Sequence, residues 1–365
     1  MSRLKKLFLL IFNIVVVTTY AQNYILNEDF SSASSTSAPI DWLNENSSGE
    51  SSDLWRFDDP GSRAPGYPIL GKFAIFDSEN YSNDNLEESA GLSTKLLDCS
   101  SAPSVLLLFD HYLPVASDNT TASGSIEVYD GNAWNTVKVF TDSTEGIEEE
   151  LINISQWTVG VTNARVRFVW SGNGSSFWAV DNVRVLVPLL LDAELNEIET
   201  PNMPFDEGNQ AIKVKLTNFG GTTITSATIN YSLDGVLQSS YNWTGNLTAG
   251  ESEGDINIGS YFFEAGVLQT LRVWVENPNG STDLNGANNS ISKELSASLC
   301  GTYTLGGEDA DFASFGELAT VLNNAGITCP VTINVRDGVY DDKFIVGNVS
   351  GNSLTNTITI QGESG

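Results

Sequence analysis

The sequence predicts an all-β protein built from several β domains. Almost everything after the first 21 residues consists of short runs in which apolar and polar residues alternate, at the two-residue period of a β-strand. Gly, Asn, Ser and Asp separate these runs, and only one stretch has the spacing of an amphipathic helix. About 340 residues are too many for a single hydrophobic core, so we expect two or three domains.

The N-terminus has the pattern of a secretory signal peptide over residues 1–21. Basic residues precede an apolar run from Leu7 to Val17, and the small residue Ala21 follows at the expected cleavage position. The alternative is a retained membrane anchor, but the run is too short to span a bilayer comfortably. We therefore predict an extracellular chain, secreted or at the cell surface, with no transmembrane segment after signal cleavage.

The chain is strongly acidic, with 46 acidic and 17 basic residues and a formal net charge of −29. Nucleic acids and anionic lipids are bound by positive patches, so this charge argues against both as partners. It is compatible with an extracellular protein that binds divalent cations.

The first predicted domain covers residues 23–187. Strands are predicted at SVLLLFDHYL, GSIEVYD, ARVRFVW and FWAVDNVRV, and long polar loops separate them. Irregular spacing with long loops favours a two-sheet jelly-roll sandwich over a tight meander. The order of these motifs, after an opening with Phe30, Pro39 and Trp42, resembles the jelly-roll adhesin modules of exported bacterial proteins. These are the cleaved-adhesin or choice-of-anchor modules, which are related to MAM domains.

Asp181 lies in the closing strand of this domain and is the best candidate for a site. In FWAVDNVRV the two-residue period places alternate residues from 177 to 185 on one face, and apart from Asp181 these are apolar. A buried carboxylate without a partner is costly, so Asp181 needs a cation, a guanidinium group or several N–H donors. Two interpretations stay open: a metal ion, or an Asp that caps the sheet end or pairs with Arg165 or Arg167.

The resemblance to the adhesin modules implies a structural calcium ion near the first and last strands. In that family the opening DF strand and the closing DN strand lie close together, often around calcium. Carried over to this chain, the oxygen ligands are Asp29, Asp77, Asp181 and Asn182, which suit the preference of Ca²⁺ for oxygen. The family's frequent Asp directly after the FDHYL strand is absent, since Pro114 to Ser117 come before the next Asp.

The second predicted domain covers residues 189–299. Strands of about six to eight residues at near-regular spacing favour an immunoglobulin-like sandwich, a fold of about a hundred residues. The motifs KVKLTNFGG and TINYSLDG resemble the bacterial cell-adhesion-related domain. That resemblance covers nearly the whole segment.

The third predicted segment, residues 300–365, begins with the one predicted helix. Ser314 and Glu317 form a capping-box pattern, apolar residues follow at helical spacing, and Gly326 ends the helix. Short strands then follow in VTINVRDGVY, KFIVGNVSG and TITIQG. This order resembles the start of pectin-lyase-like folds, in which a helix caps the first rungs of a right-handed parallel β-helix. A stable stack needs about three rungs or more, so we expect a longer, truncated β-helix.

The sequence shows no arrangement of residues typical of catalysis. His111 is the only histidine, and its mid-strand position beside Phe109 favours packing over catalysis or zinc binding. Cys300 and Cys329 bracket the predicted helix, and a disulfide between them is the favoured interpretation in an exported chain. Cys99 is interpreted as a buried small residue or a spare thiol.

Two tryptophans are candidates for contact with sugars. Trp134 follows the turn sequence DGNA, and Trp178 is predicted on the outward face of the last strand of the first domain. Together they could form part of a sugar-stacking platform. For Trp134 the favoured alternative is that it pins a hairpin next to an Asp-Gly turn.

These features favour an adhesin-type binding protein, non-catalytic in this portion, that recognises glycans or surface proteins. The domain order resembles proteins exported by the type nine secretion route. One alternative is the accessory region of an extracellular polysaccharide lyase or glycoside hydrolase whose active site lies beyond Gly365. Another is an architectural stalk without a ligand.

Overall fold

The structure is a computed structural model that describes residues 23–81, 87–115, 122–173 and 176–363. It confirms the all-β prediction, with 50% strand and 7% helix. Within these ranges no helix is both long enough and apolar enough to cross a membrane. The predicted signal peptide, residues 1–21, lies outside the described residues.

The elements fall into three consecutive units. The first unit contains β1 (Asn23–Glu28), β2 (Leu43–Ser48), β3 (Ala74–Asp77), α1 (Ser78–Tyr81), β4 (Glu88–Ser93), β5 (Leu106–Tyr112), β6 (Ser123–Tyr129), β7 (Trp134–Phe140), β8 (Glu148–Asn153), α2 (Ser155–Thr158), β9 (Arg165–Gly172) and β10 (Phe177–Val187). The second unit contains β11 (Ala193–Thr200), β12 (Gly208–Asn218), β13 (Ile224–Leu233), β14 (Val236–Leu237), β15 (Tyr241–Leu247), β16 (Ser252–Phe263), β17 (Gln269–Glu276) and β18 (Ser290–Leu295). The third unit contains β19 (Leu299–Leu305), α3 (Phe315–Ala325), β20 (Ile327–Val335) and β21 (Ile358–Gly362).

Two antiparallel sheets pack face to face in the first unit. One has the strand order β1-β10-β5-β8, with β3 also paired to β10, and the other has the order β2-β4-β9-β6-β7. Side chains from both sheets meet in one hydrophobic core. Its largest fully buried side chains are aromatic, and they include Trp55, Phe76, Phe109, Phe168, Trp170 and Trp178.

A β-bulge interrupts strand β10 and overturns the prediction that one face carries alternate residues from 177 to 185. Trp178 and Val180 before the bulge and Val183 and Val185 after it all lie in the core between the sheets. This spacing requires one extra residue, and the pairing of β10 with β5 shifts register at that point. Asn182 is the extra residue, and its φ of 51° lies in the left-handed region that Asn tolerates.

Asp181 therefore lies on the outer face of the β1-β10-β5-β8 sheet, with Phe177 and Ala179, and not on the core face. It pairs directly with Asp110 of β5 across the ladder. Residues that pair directly in an antiparallel sheet project from the same face, so both carboxylates point outward from the sandwich core.

Two covers bury most of this outer face. At one end, Ile69 and Phe73 from the loop before β3 pack on Phe177 and Ala179. At the other end, the second unit packs on the first in a shared apolar cluster, which contains Leu106, Leu108, Leu186, Phe219 and Ala249. A narrow strip of the face lies between the two covers.

The second unit consists of two antiparallel sheets around its own core. One sheet has the order β11-β12-β16, and the other has the order β14-β13-β17-β18 with β15 paired to β13. The core contains Trp243 and Phe263 among many aliphatic side chains. A hydrogen bond from Asn153 Nδ2 to the Ala249 carbonyl, 3.0 Å long, adds a polar contact at the junction with the first unit.

In the third unit three parallel strands, in the order β19-β20-β21, pack against α3. The helix prediction is confirmed, because the Ser314 side chain accepts a hydrogen bond from the Glu317 N–H and Gly326 follows the last turn at φ 69°. A disulfide joins Cys300 to Cys329 across the helix.

Replacement of Cys300 and Cys329 by Ala should destabilise the third unit by roughly 3–4 kcal/mol. The disulfide closes a loop of 29 residues, and the lost chain entropy of the unfolded state predicts this magnitude. Denaturant unfolding of the double variant and of the wild type, with and without reductant, measures the difference. Equal stabilities under oxidising conditions would contradict the prediction, and reductant should leave the double variant unchanged.

Candidate functional site

A groove of about 620 Å³ lies on the outer face of the first unit, in the strip between the two covers. We call it the outer-face groove. Strands β1, β5, β8 and β10 and the loop before β3 all contribute to its walls. Its lining residues are Tyr24, Asn27, Tyr67, Pro68, Asp110, Ile147, Glu149, Asn182 and Arg184.

Two tyrosines give the groove exposed aromatic surface. Tyr67 is 84% exposed and Tyr24 is 45% exposed. The loop that carries Tyr67 is anchored to the sheet by Ile69, which is only 1% exposed and belongs to the apolar cover. Aromatic rings presented in this way offer apolar faces to a ligand.

The polar groups of the groove present mainly hydrogen-bond acceptors. The Asn182 side chain donates through Nδ2 to Asp110 Oδ2 at 2.7 Å, so its amide oxygen is the atom left to accept. Arg184 donates through Nη2 to Glu149 Oε2 at 3.1 Å and through Nε to the Asn182 carbonyl at 3.2 Å. Asn182 and Arg184 thus use part of their donor capacity within the protein, while Asp110 and Glu149 add carboxylate oxygens to the groove.

Asp181 lies beside the groove and is 2% exposed. Its Oδ1 accepts a hydrogen bond from the Asn182 N–H at 2.8 Å. Burial, assisted by the nearby charges of Asp110 and Asp29 and opposed by backbone hydrogen bonds, raises the pKa of Asp181 to about 7.

The arginines considered as partners of Asp181 lie elsewhere. Arg167 pairs with Glu127, and Arg165 donates to the carbonyl of Thr94. Across the described ranges neither Asp181 nor Asp110 forms an ion pair. The interpretation of a salt-bridged Asp181 is therefore not supported by the structure.

The structure brings Asp29 near Asp181 but places Asp77 apart. Asp29 follows β1 directly, and its charge contributes to the raised pKa of Asp181. Hydrogen bonds from Ser31 lower the pKa of Asp29 itself. Asp77 pairs with Phe177 in the ladder, four residues or roughly 13 Å along β10 from Asp181.

Asp77 is also neutralised by an arginine. Its carboxylate is fully buried, and Arg63 donates to it through Nη2 at 2.8 Å and through Nε at 3.1–3.2 Å. A two-pronged arginine contact of this kind satisfies a buried carboxylate without a metal ion. The prediction that Asp77 belongs to the calcium ligand set is therefore not supported, because Asp77 forms a salt bridge with Arg63.

A second cluster lies at the rim of the sandwich, on the opposite face of β5. In the part of the chain that the structure describes, His111, Glu148 and Glu150 are the one group that places three metal-ligand atoms within 4.8 Å of one another. His111 Nε2 lies 3.9 Å from Glu150 Oε1 and has no hydrogen-bond partner among the described atoms.

The hydrogen bond from Trp178 to His111 argues against a metal at this cluster. Trp178 Nε1 donates to His111 Nδ1 at 3.2 Å, so Nδ1 is unprotonated and the neutral ring carries its proton on Nε2. A metal-bound histidine normally carries its proton on the other nitrogen and donates it to an acceptor. His111 is instead packed among aromatic rings, as predicted, and burial lowers its pKa to about 4.

The predicted tryptophan platform does not form. Trp178 is 0% exposed in the core, because the sequence analysis assigned the two faces of β10 the wrong way round at this position. Trp134 is half-buried, and the Arg167 guanidinium covers one face of its ring at 4.1 Å from the centroid. Asp130 accepts hydrogen bonds from the Asn132 and Ala133 N–H groups, which agrees with the hairpin interpretation for Trp134.

Several groove residues were missed by the sequence analysis. Asp110 could have been found, because alternation in LLLFDHY places it on the face opposite Phe109 and His111. Glu149 lies in the acidic run EGIEEE, which does not alternate with apolar residues and so gives no sign of a strand that lines a groove. Tyr67 has no local signal, since its place in the groove depends on a loop that packs on strands far along the chain.

No protein-family model and no curated protein matches the chain. Solved structures with similar folds include the CARDB domain of the PF1109 protein of Pyrococcus furiosus in complex with di-metal ions. That domain is 22% identical over 30% of this chain and 96% of its own, with a TM-score of 0.26.

Two other solved structures resemble a larger share of the chain. The K1 cleaved adhesin domain of Lys-gingipain from Porphyromonas gingivalis W83 is 12% identical, covering 44% of this chain and 96% of its own, with a TM-score of 0.34. TmCBM61 in complex with β-1,4-galactotriose is 14% identical, covering 45% of this chain and 98% of its own, with a TM-score of 0.31. All three TM-scores are low, so these likenesses do not bear on the ligand of this chain.

Replacement of Asp181 by Asn should stabilise the chelator-treated protein at neutral pH. The pKa of Asp181 is 3.8 in the unfolded reference and about 7 when folded, so the folded state holds a proton that the unfolded state releases between these values. Stability should therefore fall as the pH rises from about 4 to 7, by at most on the order of 4 kcal/mol, and Asn should remove that loss.

Denaturant unfolding of the full chain between pH 4 and 7 measures this effect. Asp142→Asn, which changes an exposed carboxylate outside the groove, serves as the matched control and should leave the pH dependence unchanged. A variant Asp181→Asn that is no more stable than the wild type at pH 7 would count against the buried, destabilising charge.

Proposed function

We propose that this protein is an exported surface protein that binds carbohydrate in the outer-face groove of its first unit. The observation that carries the proposal is the combination of two exposed tyrosine rings with a row of hydrogen-bond acceptors in one concave strip. Sugar rings present apolar C–H faces that pack on aromatic rings, and hydroxyl groups around their edges that donate hydrogen bonds. The groove offers a partner for both parts of a sugar.

A rigid sheet positions the polar part of this site. Asp110, Asn182 and Arg184 project from strands in the middle of the sheet, and the bulge fixes the direction of the Asn182 side chain. Polar groups held on strands keep their geometry when a ligand arrives, which lowers the entropy cost of binding. The aromatic part of the site lies on β1 and on the loop before β3.

The other units complete the proposed architecture. We propose that the first unit is a jelly-roll sandwich of the adhesin type and that the second unit is an immunoglobulin-like spacer. The three parallel strands of the third unit, with α3 beside them, support the start of a right-handed β-helix. Its exposed apolar side chains would then face further rungs, and they include Val339, Ile345 and Leu354.

Replacement of Tyr67 by Ala should weaken carbohydrate binding by about 5- to 30-fold, because truncation of an aromatic anchor costs about 1–2 kcal/mol. A glycan array identifies a ligand, and calorimetry with that ligand measures the change. Tyr241→Ala removes an exposed tyrosine of the second unit and should bind like the wild type. Failure of the wild-type protein to bind any glycan, or equal binding by Tyr67→Ala, would overturn the proposed site.

We further propose that a calcium ion binds at the inner edge of the groove, held by Asp29, Asp110, Asp181 and Asn182. The donors fit this ion, because all are oxygen atoms and Asp110 and Asp181 are directly opposed buried carboxylates without an ion-pair partner in the described chain. Calcium would have to draw these groups together, since their carboxylates do not form a group within 4.8 Å. When bound it would neutralise the charges and fasten the two ends of the first unit.

Calcium should raise the melting temperature of the chelator-treated wild type, and Asp181→Asn should lose that response. Binding to the folded state alone stabilises it by about 2.7 kcal/mol when free calcium exceeds Kd by about 100-fold. Thermal unfolding with and without calcium measures the shift, and Asp142→Asn should respond like the wild type. A wild type that ignores calcium, or an equal shift in Asp181→Asn, would contradict the site.

A further inference from the structure

We propose that the outer-face groove, when no metal ion is bound there, selects neutral sugars and excludes uronic acids and other anionic sugars. This inference rests on the proposed function, since it names the class of carbohydrate that the same groove accepts.

The charges that line the groove are predominantly negative. Asp110 and Glu149 project into it from neighbouring strands, where they pair directly across the β5–β8 ladder. Asp181 lies beside them, and Arg184 is the one cation among the lining residues that the structure describes. An anionic ligand would meet the two carboxylates of Asp110 and Glu149 and the single guanidinium group of Arg184.

Arg184 is also committed within the protein. Its Nη2 lies 3.1 Å from Glu149 Oε2, and its Nε donates to the Asn182 carbonyl at 3.2 Å. A carboxylate on a sugar that approached Arg184 would therefore meet the carboxylate of Glu149 on the same guanidinium group. A hydroxyl group meets no such repulsion, because it donates to an acceptor that is already in place.

Burial prevents the groove from avoiding this repulsion. Asp110 is only 4% exposed, and its Oδ2 is held by Asn182 at 2.7 Å, so its carboxylate cannot swing into solvent. Water and salt screen a buried charge less than an exposed one, and like charges brought together at a binding site strongly disfavour the wrong partner. The groove therefore rejects a ligand carboxylate while it accepts the hydroxyl donors of a neutral sugar.

Matched pairs of oligosaccharides test this inference on the full chain after treatment with a chelator, so that no calcium ion neutralises Asp110 and Asp181. Each pair shares its linkage and differs only at C6: glucose with glucuronate, galactose with galacturonate, and mannose with mannuronate oligomers. Calorimetry at low salt should show the neutral member of the bound pair to be at least about tenfold tighter. Added salt should narrow the difference only in part, because it screens the half-exposed Glu149 more than the buried Asp110.

The variant Glu149→Gln should relax the selectivity. It removes a lining carboxylate and releases Arg184, so binding of the uronate member should improve roughly fivefold while the neutral member changes little. Glu148→Gln is the matched control, because it removes the same charge from the adjacent residue, which points to the other face of β8 and does not line the groove. Its preference should equal that of the wild type.

The outcomes separate the two proposals. Binding of a uronate oligomer as tight as or tighter than its neutral partner would overturn the selectivity and leave the proposed function standing. An equal gain in uronate binding from Glu148→Gln would also overturn it, since the effect would then follow net charge and not the groove. Binding of a basic peptide with no binding of any oligosaccharide would overturn both.

Discussion

The β-bulge at Asn182 is the constraint on which the outer-face groove depends. With one extra residue in β10, the side chains on both sides of the bulge can fill the core, while Asp181 and Arg184 project outward. The left-handed backbone of Asn182 also aims its amide at Asp110. A straight strand would carry Arg184 into the apolar core or expel the valines that follow the bulge, and the groove would lose its polar row.

The groove exists because two covers approach each other without meeting. A loop of the first unit covers one end of the outer face, and the second unit covers the other end. The polar groups in the gap are half-sheltered by both, which explains how Asp110 can be almost fully buried and still line a concave surface. The electrostatic character of the groove follows from that partial burial, because neighbouring carboxylates there lack the solvent that would screen them.

The sequence was sufficient for the features that depend on local patterns. The all-β class and the capped helix after Ser314 follow from periodicity and capping, which act over a few residues. The sequence could not show which face of β10 lies in the sandwich core. Phe177 and Ala179 on the outer face are also buried, under a loop, so the first residues on both faces of the strand are apolar. The place of Tyr67 in the groove depends on contacts between residues far apart in the sequence, so no local sequence pattern predicts it.

The apolar junction between the first two units limits how the first unit can be used. Leu106, Leu108 and Leu186 would lose the cover of Phe219 and Ala249 in an isolated first unit, and their apolar surface would be exposed. Exposed apolar surface of this kind promotes aggregation. The first unit therefore cannot simply be transferred to a chain in which another domain follows it. Recombination that placed a different neighbour after Val187 would have to supply its own equivalent of Phe219 and Ala249.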